Sequence, residues 1–66
     1  MYNKLLLSKW TSIEKIDGWY HYQVINIIKK DKKVELYAIC NKKTRVFCLI
    51  KDLKNTSSWV PGWKDL

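Results

Sequence analysis

Apolar side chains along most of this chain alternate with polar ones at a period of two residues. Because successive side chains of a strand point to opposite faces of a sheet, this period predicts β-strands rather than helices. The clearest strand covers residues 19–29, where aromatic and β-branched residues predominate. Further strands are predicted at residues 4–13, 34–40 and 46–50. The pattern therefore predicts an antiparallel meander of about four strands.

Turn-forming and polar residues separate these strands. Asp17-Gly18 predicts a tight turn after the first strand, and residues 30–32 are a polar break before the third. Residues 41–44 are predicted to turn the chain into the fourth strand. The polar residues 51–58 that follow suit a short turn or 3₁₀ segment.

The register of the last hairpin depends on the length of its loop. With an even-length loop Cys40 opposes Arg45 and shares a face with Phe47, while Cys48 lies on the other face. With an odd-length loop the two cysteines share a face but lie diagonally. Each face carries apolar side chains in both registers. A curved sheet suits this pattern, so we predict an all-β small antiparallel barrel or roll of about four or five strands, of the SH3-like class.

The C-terminal segment is rich in tryptophan and begins at Trp59. Pro61-Gly62 fits the centre of a type II turn that folds Trp63 back near Val60. Such a turn brings the two indoles together as a lid or plug on the barrel. Packing over an open barrel end and stacking on a partner both remain open for this pair.

A length of 66 residues allows one domain, over residues 1–66, and excludes most enzymes. Aromatic residues make up 14% of the chain and supply large anchors for a small core. The anchors are the aromatic residues Trp10, Trp19, Trp59, Trp63, Tyr20, Tyr22, Tyr37 and Phe47, of which Trp10 and Trp19 lie within or beside strands and are assigned to the core. Residues 5–7, the longest apolar run near the N-terminus, are too short for a signal-peptide core or a membrane span. We expect a cytoplasmic protein that does not enter a membrane.

Two cysteines and one histidine offer little chemistry. Cys40 and Cys48 do not pair directly in either register, so we expect free thiols that pack as small hydrophobes on strands. With His21 they give three possible zinc ligands, whereas a structural site needs about four. No nucleophile, base and orienting partner stand out, and two glycines cannot form a phosphate-binding loop. We predict a protein without catalytic activity, metal or cofactor.

The formal net charge is +7, from thirteen Lys and Arg against six Asp and Glu. This excess suits an anionic partner such as nucleic acid. Twelve of the thirteen basic residues are lysines, and Ile and Asn are also frequent, a composition that an AT-rich genome produces on any solvated surface. The lysine excess therefore has two open interpretations, a binding surface and a codon bias.

Motifs spread over nearly the whole chain point to a known family. They are Leu5-Leu6-Leu7-Ser8-Lys9-Trp10-Thr11, His21-Tyr22, Val34-Glu35-Leu36 with Ala38, Arg45 with Phe47 ahead of Asp52-Leu53-Lys54, and Trp59 with Gly62-Trp63. Together they resemble a family of small Trp-rich bacterial and bacteriophage proteins of unknown function. The resemblance implies a single small domain and a bacterial or bacteriophage source, and it implies no mechanism.

Basic residues cluster at two predicted hairpin ends. A strand of about eight residues separates the clusters by roughly 26 Å, so an extended polyanion could touch both and a compact anion could not. Aromatic side chains beside lysines are also what a single-strand binder uses, since bases stack on them. The predicted binding residues are Lys29, Lys30, Lys32, Lys33, Lys42, Lys43, Arg45, Trp59 and Trp63.

These features predict a non-enzymatic binding module that contacts nucleic acid, as RNA or single strands rather than duplex. Tyr20, Tyr22 and Tyr37 on adjacent strands would form either a stacking platform or an ordinary core. The alternative is a protein-interaction adaptor or inhibitor that docks on an acidic surface of a bacterial protein through Trp59 and Trp63.

Overall fold

The computed structural model of the chain describes residues 4–65. Its strands are β1 (Lys9–Ile16), β2 (Trp19–Ile28), β3 (Lys33–Ala38), β4 (Asn41–Leu49) and β5 (Trp59–Pro61). A 3₁₀ turn (Lys29–Asp31) joins β2 to β3, and a one-turn helix, α1 (Ile50–Leu53), follows β4. All five strands form one antiparallel sheet in the order β4-β3-β2-β1-β5.

This sheet confirms the predicted all-β fold class. Its edge strands β4 and β5 do not pair with each other within residues 4–65, so the curved sheet is a roll with one open seam rather than a closed barrel. The seam lies between β4 on one side and β1 with the start of β5 on the other, and it has a volume of about 410 Å³. No helix in the described part of the chain has the length and apolarity needed to cross a membrane.

The first two predicted turns are present. Asp17 and Gly18 have φ angles of 50° and 89°, the positive values that a type I′ hairpin turn requires at both central positions. The polar break after β2 is the 3₁₀ turn, and it ends at Lys32 with a φ of 54°. These turns set β1, β2 and β3 side by side as a meander.

The first strand begins at Lys9 and not at residue 4 as predicted. Residues 5–7 form a turn instead, closed by the Ser8 N–H donating to the Leu5 carbonyl at 3.0 Å. Leu5 packs against the core, whereas Leu7 is exposed. Three consecutive leucines satisfy any apolar period, so alternation alone could not separate this turn from a strand.

The last hairpin turns at residues 39–40, and the predicted turn residues 41–44 belong to β4. Tyr37 pairs with Arg45, but the next pair along β3 skips three residues of β4. Residues on one strand without partners on the other form a bulge, which bends the strand and raises its local twist. The prediction weighed loop length and did not consider a bulge.

The position of this turn contradicts the predicted location of one cysteine and agrees with that of the other. Cys40 lies in the turn and is exposed, so its predicted place on a strand is wrong. Cys48 lies on β4, half-buried, as a small side chain packed against the core. Both thiols are free.

The core lies on the inner, concave face of the sheet. Its buried apolar side chains are Tyr22, Val24, Val34, Leu36, Ala38, Leu53 and Trp59. The rings of Tyr22 and Trp59 meet edge to face, with centroids 5.8 Å apart and planes at 82°. The Tyr22 hydroxyl donates to the Ile16 carbonyl at 2.6 Å, which satisfies its polar group. Trp10 and Trp19 pack against this cluster, as predicted.

Candidate nucleic-acid interface

The face of the sheet opposite the core, here called the outer face, carries a row of polar side chains. Lys9 pairs with Gln23, Gln23 with Tyr37, and Tyr37 with Arg45. Directly opposed residues of antiparallel strands share a face, so this row crosses four strands. At about 4.8 Å per strand it spans roughly 14 Å.

The neighbouring row on the outer face presents an aromatic ring. Phe47 of β4 lies opposite Glu35 of β3 and is 59% exposed, whereas Val46 and Cys48 on either side of it pack toward the core. Its prediction as a core anchor is therefore wrong. The apolar run of β4 occupies both faces, and the sequence did not show which residues point inward. The outer face thus offers a flat ring on an edge strand.

Electrostatics on this part of the face favour anions. Glu35 is the one acidic side chain on the outer face of β3 and β4, and it pairs with the Arg45 guanidinium at 3.3 Å. The Arg45 Nε–H also donates to the Lys42 carbonyl at 3.0 Å, which ties the guanidinium to the bulge. With Glu35 neutralised in this way, the other charged side chains of β3 and β4 are positive, whereas Glu14 and Asp52 line the seam together with Phe47.

The two basic clusters lie at opposite ends of β3, as predicted. One cluster surrounds the 3₁₀ turn and the start of β3, and the other occupies the bulged end of β4. Because β3 has six residues, the separation is roughly 20 Å rather than the predicted 26 Å. The first cluster contains Lys29, Lys30, Lys32 and Lys33, and the second contains Lys42, Lys43 and Arg45. Phe47 lies between them.

The two tail tryptophans lie on opposite faces of the sheet. Trp59 is 5% exposed and belongs to the core, so it offers almost no surface to a partner. Trp63 is 40% exposed, and its indole N–H donates to the Tyr22 carbonyl at 2.9 Å. The Lys9 Nζ lies 5.0 Å from the centre of the Trp63 ring, in a cation–π contact. The predicted joint lid of two indoles is therefore not formed.

The tail holds its position through hydrogen bonds to β1 and β2. Gly62 has a positive φ of 84°, as the predicted turn requires, and its N–H donates to the Lys9 carbonyl at 2.7 Å. The buried Thr11 hydroxyl donates to the Gly62 carbonyl and accepts from the Lys64 N–H. The His21 Nε2–H donates to the Lys64 carbonyl at 2.9 Å. His21 thus has a structural partner on the tail.

The seam offers no reactive thiol. Burial raises the pKa of the Cys48 thiol, and the nearby Asp52 carboxylate raises it further, which together outweigh a hydrogen bond with Trp59 that lowers it. A raised pKa leaves the thiol protonated at neutral pH and therefore a poor nucleophile. Among residues 4–65, no three His, Cys, Asp or Glu side chains lie together as a metal-ligand set.

Lys9, Phe47 and Tyr37 were not among the predicted site residues. Lys9 is isolated in sequence, and only the β1–β2 register brings it into the outer row, next to Trp63. Tyr37 was assigned as part of a platform or a core, and its pairing with Gln23 and Arg45 places it on the outer face. The alternation of faces along β3 was the one sequence signal that placed Tyr37 on the face opposite to the buried Leu36.

Comparison with known proteins gives one result. The family described as Tryptophan-rich protein (DUF2389) matches residues 8–64, a stretch that includes all four tryptophans. No curated protein and no solved structure matches the chain significantly.

Proposed function

We propose that this chain, which belongs to the tryptophan-rich protein family DUF2389, is a non-enzymatic module that binds single-stranded nucleic acid, RNA above all. The strand would lie on the outer face along β3 and β4. It would run from the lysines at the 3₁₀ turn to those at the β4 bulge, with Phe47 between.

The observation that carries this proposal is the exposed Phe47 ring between two basic clusters. Bases stack on aromatic side chains with about 1–3 kcal/mol per base, whatever their sequence. Lysines at both ends supply phosphate contacts, and a separation of roughly 20 Å suits an extended chain rather than a compact anion. Tyr37 and Arg45 lie beside this path and offer a further flat ring and a guanidinium plane.

The charge pattern of the face supports the same function. Strands β3 and β4 together carry four basic residues and one carboxylate, a higher ratio of basic to acidic residues than the thirteen to six of the whole chain. On the outer face of β3 and β4 the single carboxylate, Glu35, is paired with Arg45. Along β3 and β4 themselves an anionic strand would therefore meet no unpaired carboxylate, while Asp31 in the 3₁₀ turn and Glu14 and Asp52 at the seam border this path.

A protein-interaction module is the second candidate, and the exposure of Trp63 favours it. Its ring is 40% exposed and borders Lys9, so an acidic partner surface could cover both. Trp59 cannot take part, because it is buried in the core. This candidate predicts that partner binding depends on Trp63 and not on Phe47.

The proposal is tested by titrating a short single-stranded RNA over a series of salt concentrations. Counterion release predicts a slope of log affinity against log salt of roughly −3 to −5 if most of the cluster residues contact phosphates. Reversing two charges in Lys42→Glu/Lys43→Glu should flatten the slope by about one to two and leave folding intact, because both side chains are exposed.

Lys64→Glu is the control, since Lys64 lies in the tail against Thr11 and His21, on the β1–β2 side of the sheet and away from β3 and β4. Its slope should match that of the unmodified protein. An RNA affinity weaker than about 0.1 mM at physiological salt would contradict the proposal, because any basic surface reaches that range.

A further inference from the structure

A cavity of about 570 Å³ opens at the end of β4, between the 3₁₀ turn and α1. Its lining combines two aliphatic side chains with three lysines and one carboxylate. The lining residues are Asp31, Lys32, Leu49, Ile50, Lys51 and Lys54. Apolar walls with a few polar or charged groups are typical of small-molecule sites.

Backbone hydrogen bonds hold the two sides of the cavity together. The Ile50 N–H donates to the Lys32 carbonyl at 2.9 Å, which ties the start of α1 to the end of the 3₁₀ turn. The Lys54 N–H donates to the Ile50 carbonyl at 3.1 Å, which fixes the far end of α1. The three lysines, although they come from two segments, are therefore anchored around one cavity.

Lys32 has a backbone conformation that disfavours its side chain. Its φ of 54° lies in the left-handed region, where glycine is preferred because it has no Cβ. This conformation closes the 3₁₀ turn, in which the Lys32 N–H donates to the Lys29 carbonyl at 3.2 Å, and Leu7 and Asp17 adopt similar positive φ angles. The turn thereby places Lys32 in the lining of the cavity, together with Lys51 and Lys54.

We propose that this cavity binds the terminal phosphate of the nucleic-acid strand, an inference that rests on the proposed function. A phosphomonoester at a strand end carries a charge of about −1.5 to −2 at neutral pH, and it offers three acceptor oxygens. Three lysines and Asp31 leave a net charge of +2 around the cavity. Within residues 4–65, none of these three lysines forms an ion pair that an incoming phosphate would have to break.

The position of the cavity favours a strand end over a free phosphate or a lipid headgroup. Leu49, in the cavity wall, pairs with Lys33 and lies on the outer face two residues after Phe47. A strand stacked on Phe47 and directed toward the 3₁₀ turn therefore arrives at the cavity. The aliphatic wall formed by Leu49 and Ile50 would contact the terminal sugar or base.

The test compares short oligouridylates of about eight nucleotides that differ only at their ends. One carries a 5′-phosphate, one a 3′-phosphate, and one has hydroxyl groups at both ends. We expect one phosphorylated form to bind about tenfold more tightly than the unphosphorylated form, and the preferred end defines the direction of the strand. Inorganic phosphate as competitor should remove this preference only at concentrations far above that of the oligonucleotide.

Three variants locate the preference. Lys51→Ala/Lys54→Ala should abolish the tenfold difference and still bind the unphosphorylated oligonucleotide. The matched pair Lys42→Ala/Lys43→Ala should weaken all three oligonucleotides by the same factor and keep the difference. Lys32→Gly should reduce the difference while its melting temperature stays equal or rises, because glycine relieves the positive φ.

Three outcomes overturn the inference in distinguishable ways. Equal affinity for all three oligonucleotides, each bound well, contradicts the terminal-phosphate site and leaves the proposed function in place. Failure of every oligonucleotide to bind contradicts both. A preference that survives Lys51→Ala/Lys54→Ala would also contradict the assignment of the cavity.

Discussion

The two faces of strand β4 lie in two different environments. Val46 and Cys48 point inward and pack against the core cluster, although Phe47 between them also borders the seam. Arg45 and Phe47, which alternate with them, lie on the outer face, where Phe47 stays 59% exposed. The same strand therefore contributes to the core with one set of side chains and to the proposed binding face with the other. Substitutions of neighbouring β4 residues should therefore have different effects, one lowering stability and the other weakening binding.

The two tryptophans of the C-terminal segment show the same contrast between core and outer face. Trp59 and Trp63 are four residues apart, yet the first lies in the core and the second on the outer face. The turn at Gly62, with its positive φ, redirects the chain between them. Residue type alone therefore says little about the role of a tryptophan in this protein.

The largest expected effect is on stability, from Trp59→Ala. Removing a ring that is 5% exposed and packed against Tyr22 should lower the free energy of unfolding by about 3–5 kcal/mol, enough to unfold much of so small a domain. Trp63→Ala should cost about 1–2 kcal/mol, because it loses one hydrogen bond and a partly exposed ring. Urea unfolding followed by circular dichroism measures the free energy of unfolding of both variants. Equal losses would contradict the placement of Trp59 in the core and Trp63 on the outer face.

The smallest expected effect concerns the two thiols. Cys40 is exposed and should react with a thiol reagent near pH 8, whereas Cys48 should react slowly because burial and Asp52 raise its pKa. A raised pKa keeps the thiol protonated to higher pH, so the Cys48 rate should increase only as the pH rises above the ordinary thiol range. The single variants Cys40→Ser and Cys48→Ser assign the two rates. Equal rates in the folded protein would contradict the inward orientation of Cys48.

The sequence predicted the strands better than the faces. Alternation identified β2 and β3, and Asp17-Gly18 identified the turn between β1 and β2, because these signals are local. The β4 bulge is not local, since it depends on how β3 and β4 pair, and it determines where Cys40 and Phe47 lie. The basic ends of the hairpins were predictable, whereas the ring between them was not.

The cavity at α1 could not be predicted from the sequence for a related reason. Lys32 and Lys51 are distant in the chain, and the hydrogen bond from the Ile50 N–H to the Lys32 carbonyl joins their segments. The sequence showed a run of lysines at the 3₁₀ turn, but it gave no indication that α1 would add two more. Tertiary contacts supply the information that residue spacing lacks.

The most direct test of the binding face compares Phe47→Ala with Val46→Ala, measuring single-stranded RNA affinity and urea unfolding on the same samples. Phe47→Ala should weaken binding by about 1–3 kcal/mol and change the unfolding free energy by no more than about 0.5 kcal/mol. Val46→Ala should lower the unfolding free energy by about 1 kcal/mol and leave the affinity of the folded protein unchanged. If Phe47→Ala binds RNA as tightly as the unmodified protein, the outer face of β3 and β4 is not the nucleic-acid site.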